Sequence, residues 1–263
     1  MSEVSIHALY EGTFSVGTDH KFNRIGRNED PAKGALKLSI NPFLIKEKDR
    51  NILFDVGIGD LFGEDTSIDT ILTNLENLSI SHYEITDIFL SHLHFDHIAG
   101  LAHQSNGYWE LTFPDTNVWV SEQGWKKLMK NEDQFSEREK DFVNFVDTWA
   151  EIQFLSKGSE PIENVSTQQI GGHTEFHQAL FYSKGNHKYL MAGDVMGRRI
   201  SINRNFAAKF DFAPKQSMQA RENLKQQAWK NGYTIMAYHE THYPLFKLTD
   251  FSKEQGYTVK KIK

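Results

Sequence analysis

Cysteine is absent from the 263 residues. That excludes a disulfide framework and every thiolate metal site, so a metal would have to be held by imidazole and carboxylate. Long apolar runs are absent as well. No stretch approaches the roughly 18 residues a membrane span needs, and the opening segment MSEVSIHALYEG is too polar for a signal peptide. Nor is there an excess of positive charge: 29 Lys and Arg stand against 35 Asp and Glu, a net −6, with the signs interspersed. A phosphate backbone finds no electrostatic footprint there. No repeat, low-complexity tract or linker divides the chain. The expectation is a single domain over residues 1–263, cytoplasmic, with neither membrane nor nucleic acid as partner.

What is present suits a globular fold with a sizeable core: 39% hydrophobic residues, among them 19 Phe, 5 Trp and 9 Tyr. LKLSINPFLIK (36–46) and NILFDVG (51–57), joined by the charged turn EKDR, read as a strand pair. In SIDTILTNLENLSI the apolar positions Ile68, Ile71, Leu72, Leu75 and Leu78 follow the helical period. ITDIFL (85–90) is then a short buried strand. NVWVS (117–121) is another, with Ser121 an N-cap for a helix over 122–130, and a further helix spans 137–149. ALFYS (179–183) and KYLMAG (188–193) form a hairpin closed by KGNH. A helix over 217–232 ends at Gly232, and YTIMAY (233–238) is a buried strand. Helices and strands alternate, yet hairpins occur, which predicts a layered α/β fold with a mixed sheet.

Chemistry concentrates in SHLHFDHIAG (91–100), directly after ITDIFL. If the backbone stays extended through His94, strand alternation sends His92 and His94 to one side. The turn that follows brings Asp96 and His97 to a neighbouring point. The segment thus offers two pairs of ligands to two metal positions, as a two-metal hydrolytic site requires. These spacings suit a strand end, unlike the helical H-E-x-x-H of metalloproteases.

The pattern resembles the H-x-H-x-D-H motif of the metallo-β-lactamase superfamily. Further motifs of that family match in order: ILFDVG with Asp55, GGHTEFH with His173 and His177, YLMAGD with Asp194, and TIMAYHETH with His239. The resemblance covers about residues 36–250. It implies an αββα sandwich of two mixed sheets with outer helices and the active site on loops after strands. It also implies a ligand set: His92, His94 and His173 for one metal, Asp96, His97 and His239 for the other, and Asp194 bridging both. His242, three residues beyond His239, is the alternative last ligand. His177 would orient a ligand from behind; Asp55 would do the same or cap its loop. The remaining histidines, His7, His20, His82, His103 and His187, read as surface residues.

Imidazole and carboxylate suit two Zn2+ ions, with Fe, Mn or Co compatible. The family's oxygen-reducing iron branch usually has Glu where this chain has His94. The resemblance therefore implies a dinuclear zinc hydrolase in which a hydroxide held between the metals attacks the substrate, with Asp96 orienting it and carrying a proton to the leaving group. No G-x-S-x-G elbow is present, in keeping with a mechanism that needs no serine nucleophile. The sequence looks closest to the quorum-quenching lactonase and organophosphate hydrolase branch. That suggests a small lactone or ester, such as an N-acyl-homoserine lactone, as substrate. A phosphotriester hydrolase and a non-hydrolytic redox or sensor protein are the alternatives. One departure stands out: well-known lactonases carry Tyr three residues after the bridging Asp, where this chain has Gly197. Residues 17–34 and 195–214 are candidate loops over the site, the first also a candidate homodimer contact. Phe206, Phe210 and Phe212 either line an acyl pocket or pack as core.

Overall fold

The computed structural model describes residues 4–262 except Lys157, Ala207 and Lys209, and for Glu132 the backbone alone. Two members of the candidate loop 195–214, residues 207 and 209, therefore lie outside the described residues. The chain forms two compact units, Met1–Phe154 and Leu155–Lys263. Among the described residues no helix is long and apolar enough to cross a membrane.

The first unit is built on a six-stranded sheet. In spatial order it runs β1 (Ser5–Ala8), β5 (Phe43–Glu47), β6 (Arg50–Phe54), β7 (Asp87–Phe89), β10 (Asn117–Ser121) and β11 (Glu151–Leu155). The strands β2 (Gly12–Val16), β3 (Phe22–Ile25) and β4 (Leu36–Ile40) make a separate three-stranded sheet, and β8 (Ala102–Ser105) with β9 (Tyr108–Leu111) a hairpin. The central strand β7 pairs in parallel with both β6 and β10. A parallel pair needs a crossover, and the helix α1 (Asp69–Asn77) lies in the one between β6 and β7. Its Ile71 and Leu75 join Leu44, Leu53, Ile88 and Val118 in one core cluster. The helices α3 (Glu122–Lys130) and α4 (Glu137–Trp149) add Trp125, Leu128, Phe142, Val143 and Val146 to the same cluster. Between α1 and α3 comes a single helical turn, α2 (Phe95–Ile98).

The second unit carries its own six-stranded mixed sheet: β12 (Val165–Gln169), β13 (Gln178–Lys184), β14 (His187–Met191), β15 (Thr234–Met236), β16 (Leu245–Ser252) and β17 (Gly256–Lys261), adjacent in that order. Among the described residues of this unit only β14 and β15 pair in parallel. The crossover between them contains α5 (Pro214–Asn231), whose Leu224 and Ala228 pack with Phe181, Leu190, Ile235 and Phe246.

Most expected elements are present, with three instructive shifts. LKLSINPFLIK, read as one strand, is two strands in different sheets: β4 pairs with β2, while β5 pairs with β1 and β6. Pro42 supplies the break, since it has no N–H and holds the residue before it away from regular pairing. The helix expected over 217–232 begins earlier, with Pro214 at its first position, where a missing N–H costs nothing. Gly232 does end it, at φ 72°. The strand expected over 233–238 stops at Met236, after which Ala237 donates to the Pro244 carbonyl and the chain leaves the sheet. Residues 17–34 are not purely a loop, because they contain β3. The sheets are mixed and the helices few, a mixed α/β architecture as expected.

Candidate metal centre

In the first unit the site residues sit where two neighbouring parallel strands end. The strand β6 runs into Asp55, which is fully buried and takes a left-handed φ of 55°. Its backbone N–H donates to the Phe89 carbonyl at 2.9 Å, so the turn is locked to the end of β7. The Asp55 carboxylate then gathers three donors. Oδ1 accepts the Ser91 N–H at 2.7 Å. Oδ2 accepts the Ser91 hydroxyl at 2.7 Å and faces His97 Nδ1 at 2.6 Å. A carboxylate only accepts, so the His97 proton resides on Nδ1 and its Nε2 offers a lone pair to a metal. Ser91, having donated to Asp55, receives from His92 Nδ1 at 3.0 Å. The same logic leaves His92 Nε2 as a lone pair. One buried carboxylate thus sets two imidazoles, one directly and one through a serine.

His94 leaves the strand in extended geometry, and the turn α2 starts after it. Its Nδ1 stands 3.0 Å from His92 Nε2. Asp96, half-buried, lies with Oδ2 3.8 Å from His97 Nε2. Two backbone bonds lace the α2 segment to the Asp55 loop: Val56 N–H to the His97 carbonyl and Gly100 N–H to the Gly57 carbonyl. A side chain on Gly100 would run into the Val56 carbonyl, so only glycine allows this approach.

The second unit presents the other residues on three loops. His173 and His177 lie between β12 and β13, Asp194 follows β14, and His239 follows β15. Asp194 divides its carboxylate: Oδ2 is 3.3 Å from His173 Nε2, and Oδ1 is 2.8 Å from His239 Nε2. His173 turns its other nitrogen to the buried Asp211, with Nδ1 3.0 Å from Oδ1. That again places the proton on Nδ1 and frees Nε2. His177, buried and remote from solvent, faces the Ala192 carbonyl through Nε2 at 3.0 Å, two residues before Asp194. It steadies the strand end that carries the carboxylate. The His239 N–H donates to the Gly197 carbonyl at 2.8 Å, while His242 is exposed.

Potential metal ligands among the described residues are His92, His94, Asp96 and His97 in the first unit and His173, Asp194 and His239 in the second. Nitrogen ligands about 2.0–2.1 Å from a tetrahedral zinc stand about 3.3 Å from one another. The spacings of 3.0 Å for His92 and His94 and 3.3 Å for His173 and Asp194 suit that geometry.

The metallo-β-lactamase superfamily model matches residues 36–229. The chain belongs to that superfamily. Among curated proteins none matches this superfamily member. Solved structures show the same fold. One is the hydrolase AbOPH of the β-lactamase superfamily, at TM-score 0.79 and 24% identity over 99% of this chain and 94% of that one. A probable metal-dependent hydrolase from Staphylococcus aureus gives 0.77 and 21%, covering 100% and 98%. AidC, a dizinc quorum-quenching lactonase in complex with the product N-hexanoyl-L-homoserine, gives 0.78 and 18%, covering 100% and 96%. Superfamily membership and hydrolase neighbours are consistent with a metal-dependent hydrolase.

Two residues of the site belong to none of the motifs. Ser91 stands directly before a ligand, a small hydroxyl at the end of the strand, and that position is a usable signal. Asp211 lies 38 residues beyond its partner His173 with nothing local to mark it. Phe206, Phe210 and Phe212 are exposed, at 38%, 44% and 62%, and so are not core. A side chain at Gly197 would press on the Gly193 carbonyl and on His239 Cδ2, at 3.2 and 3.3 Å from its first carbon.

Proposed function

We propose that this superfamily member is a dinuclear zinc hydrolase that opens small lactones or esters, N-acyl-homoserine lactones foremost. The observation that carries the reading is the divided Asp194 carboxylate, each oxygen turned to a different histidine. One ion would take His92, His94 and His173, the other Asp96, His97 and His239, with Asp194 reaching both. Fe, Mn or Co would also suit these ligands. Bound divalent zinc would supply Lewis acidity and lower the pKa of water to about 7.

The chain's own residues do the rest. Asp55, Ser91 and Asp211 hold His97, His92 and His173 in fixed tautomers, so the donor lone pairs are aimed before anything binds. Asp96 holds the proton of the attacking water and passes it to the oxygen that leaves. Phe206, Phe210 and Phe212 offer an apolar wall to an acyl chain. With Gly197 where a tyrosine would stand, no phenol from that position assists the lactone carbonyl. The substrate reading draws support from the likeness to AidC, whose bound product is an acyl-homoserine.

Elemental analysis on protein purified without chelator, beside a panel of acyl-homoserine lactones, aryl esters and phosphotriesters, tests this. Two zincs per chain with lactone or ester turnover is the expected result. Two zincs with phosphotriester turnover alone would move the substrate class. Protein that stays inert after zinc is added would overturn the reading.

A further inference from the structure

The turn that follows β6 has a demanding backbone. Asp55, Gly57 and Gly59 take left-handed φ values of 55°, 84° and 55° in close succession. Conformations this sparsely populated persist only where the surroundings over-determine them. Part of the hold comes from the segment beyond β7, where the Val56 N–H donates to the His97 carbonyl and the Gly57 carbonyl accepts the Gly100 N–H. The other part comes from Glu11, which stands between β1 and β2 and is 1% exposed. Its Oε2 accepts the Ile58 N–H at 2.9 Å, and its carboxyl fills the space that a side chain on Gly57 would need. Glu11 is itself well fixed: its N–H donates to the Ile40 carbonyl at 2.9 Å, and its carbonyl accepts from Arg24 Nη1 at 3.0 Å.

We propose that Glu11 is a positioning residue that props the turn 55–59 and, through the Asp55 carboxylate, fixes the aim of His97. Each link is a hydrogen bond or the short covalent run of the turn. Glu11 holds Ile58, the chain leads back from Ile58 to Asp55, and Asp55 Oδ2 faces His97 Nδ1 at 2.6 Å. The inference rests on the dinuclear reading for what His97 holds, but the imidazole is oriented in the metal-free chain as well. Reach decides the role. Glutamine keeps a carbonyl oxygen where Oε2 stands, whereas aspartate is one methylene too short to meet the Ile58 N–H. A buried N–H left without an acceptor is costly. The turn then relaxes, and the Asp55 carboxylate moves with it.

The test compares Glu11→Gln, Glu11→Asp and Glu11→Ala with the wild type, and uses Ser136→Ala, which removes the N-cap of α4, as a chain weakened elsewhere. In zinc-free protein the proton between His97 Nδ1 and Asp55 is read by NMR as a downfield imidazole signal, assigned by its loss in His97→Gln. Zinc affinity is read by competition with a chelating dye, under conditions where every chain compared is folded. Glu11→Asp and Glu11→Ala are expected to lose or shift the signal and to weaken one zinc of the two about tenfold, the lower end of the cost of disturbing a group behind a ligand. Glu11→Gln should keep both the signal and the affinity, and so should Ser136→Ala. Where Glu11→Ala fails to fold, the contrast between Glu11→Asp and Glu11→Gln decides. An unmoved signal in a folded Glu11→Asp or Glu11→Ala chain overturns the proposal. So does a Glu11→Gln chain that behaves as Glu11→Asp does, because reach would then not matter. A wild type that binds no zinc defeats the dinuclear reading alone, and the imidazole signal then decides for or against Glu11.

Discussion

Glu11 shows what a single buried carboxyl does to the molecule's response to pH. Its Oε2 accepts the Ile58 N–H at 2.9 Å, and its other oxygen is buried with no hydrogen-bond partner among the described residues. Burial pushes its pKa from 4.5 up to about 8, against a weaker pull from the Ile58 N–H and from Arg24. Between those two values the folded chain keeps a proton that the unfolded chain has given up. Stability therefore falls as pH rises from about 4.5 to about 8 and levels off beyond. Glu11→Gln should abolish that slope and leave the variant more stable than the wild type at pH 9. The gain is a few kcal/mol, at roughly 1.4 kcal/mol for each pH unit separating the two values. Urea midpoints at pH 5 and pH 9 check it; an unchanged difference between the two chains would refute it. The carboxyl supports the turn that carries Asp55, since a side chain on Gly57 would collide with it. Residues of this kind carry no motif. His92 to His97 announce themselves by standing together, but Glu11 is 47 positions from the amide it accepts.

At the scale of elements, the expectations that succeed rest on local physics. Ser121 caps α3 by accepting the Gly124 N–H, and α4 spans the expected residues. The helix α4 opens with a reciprocal box in which Ser136 accepts the Glu139 N–H and its own N–H donates to the Glu139 carboxylate. Ser136→Ala should cost about 0.5–2 kcal/mol and lower the melting temperature by roughly 2–6 °C, with zinc content unchanged. A calorimetric scan reads the shift directly. The failures have the opposite origin. Nothing in LKLSINPFLIK says that its two halves enter different sheets, because partner choice is made by β1, β2 and β6 from elsewhere in the chain. The strand β16 pairs with β15 and β17, and the charged, exposed ends of β16 and β17 hide the alternation that would have revealed them.

At the scale of the whole molecule, the family model runs from residue 36 to 229, so it spans parts of both compact units. The candidate ligands likewise come from widely separated positions, His92 to His239. A ligand that binds only the folded chain stabilises it by mass action, about 2.7 kcal/mol at a hundredfold excess over its dissociation constant. Stripping zinc with a chelator should thus lower the melting temperature by roughly 5–10 °C, and adding zinc back should restore it. An unmoved transition would mean that no metal contributes to the fold. The stretch after Asp194 is fastened differently from the candidate ligands. Arg221 and Lys225 grip it through main-chain oxygens at Val195, Ile202 and Phe206, and these acceptors are indifferent to which side chains the loop carries. The loop's outward side chains can then be exchanged while its backbone stays seated, which makes this stretch a natural place to diversify a library for new substrates.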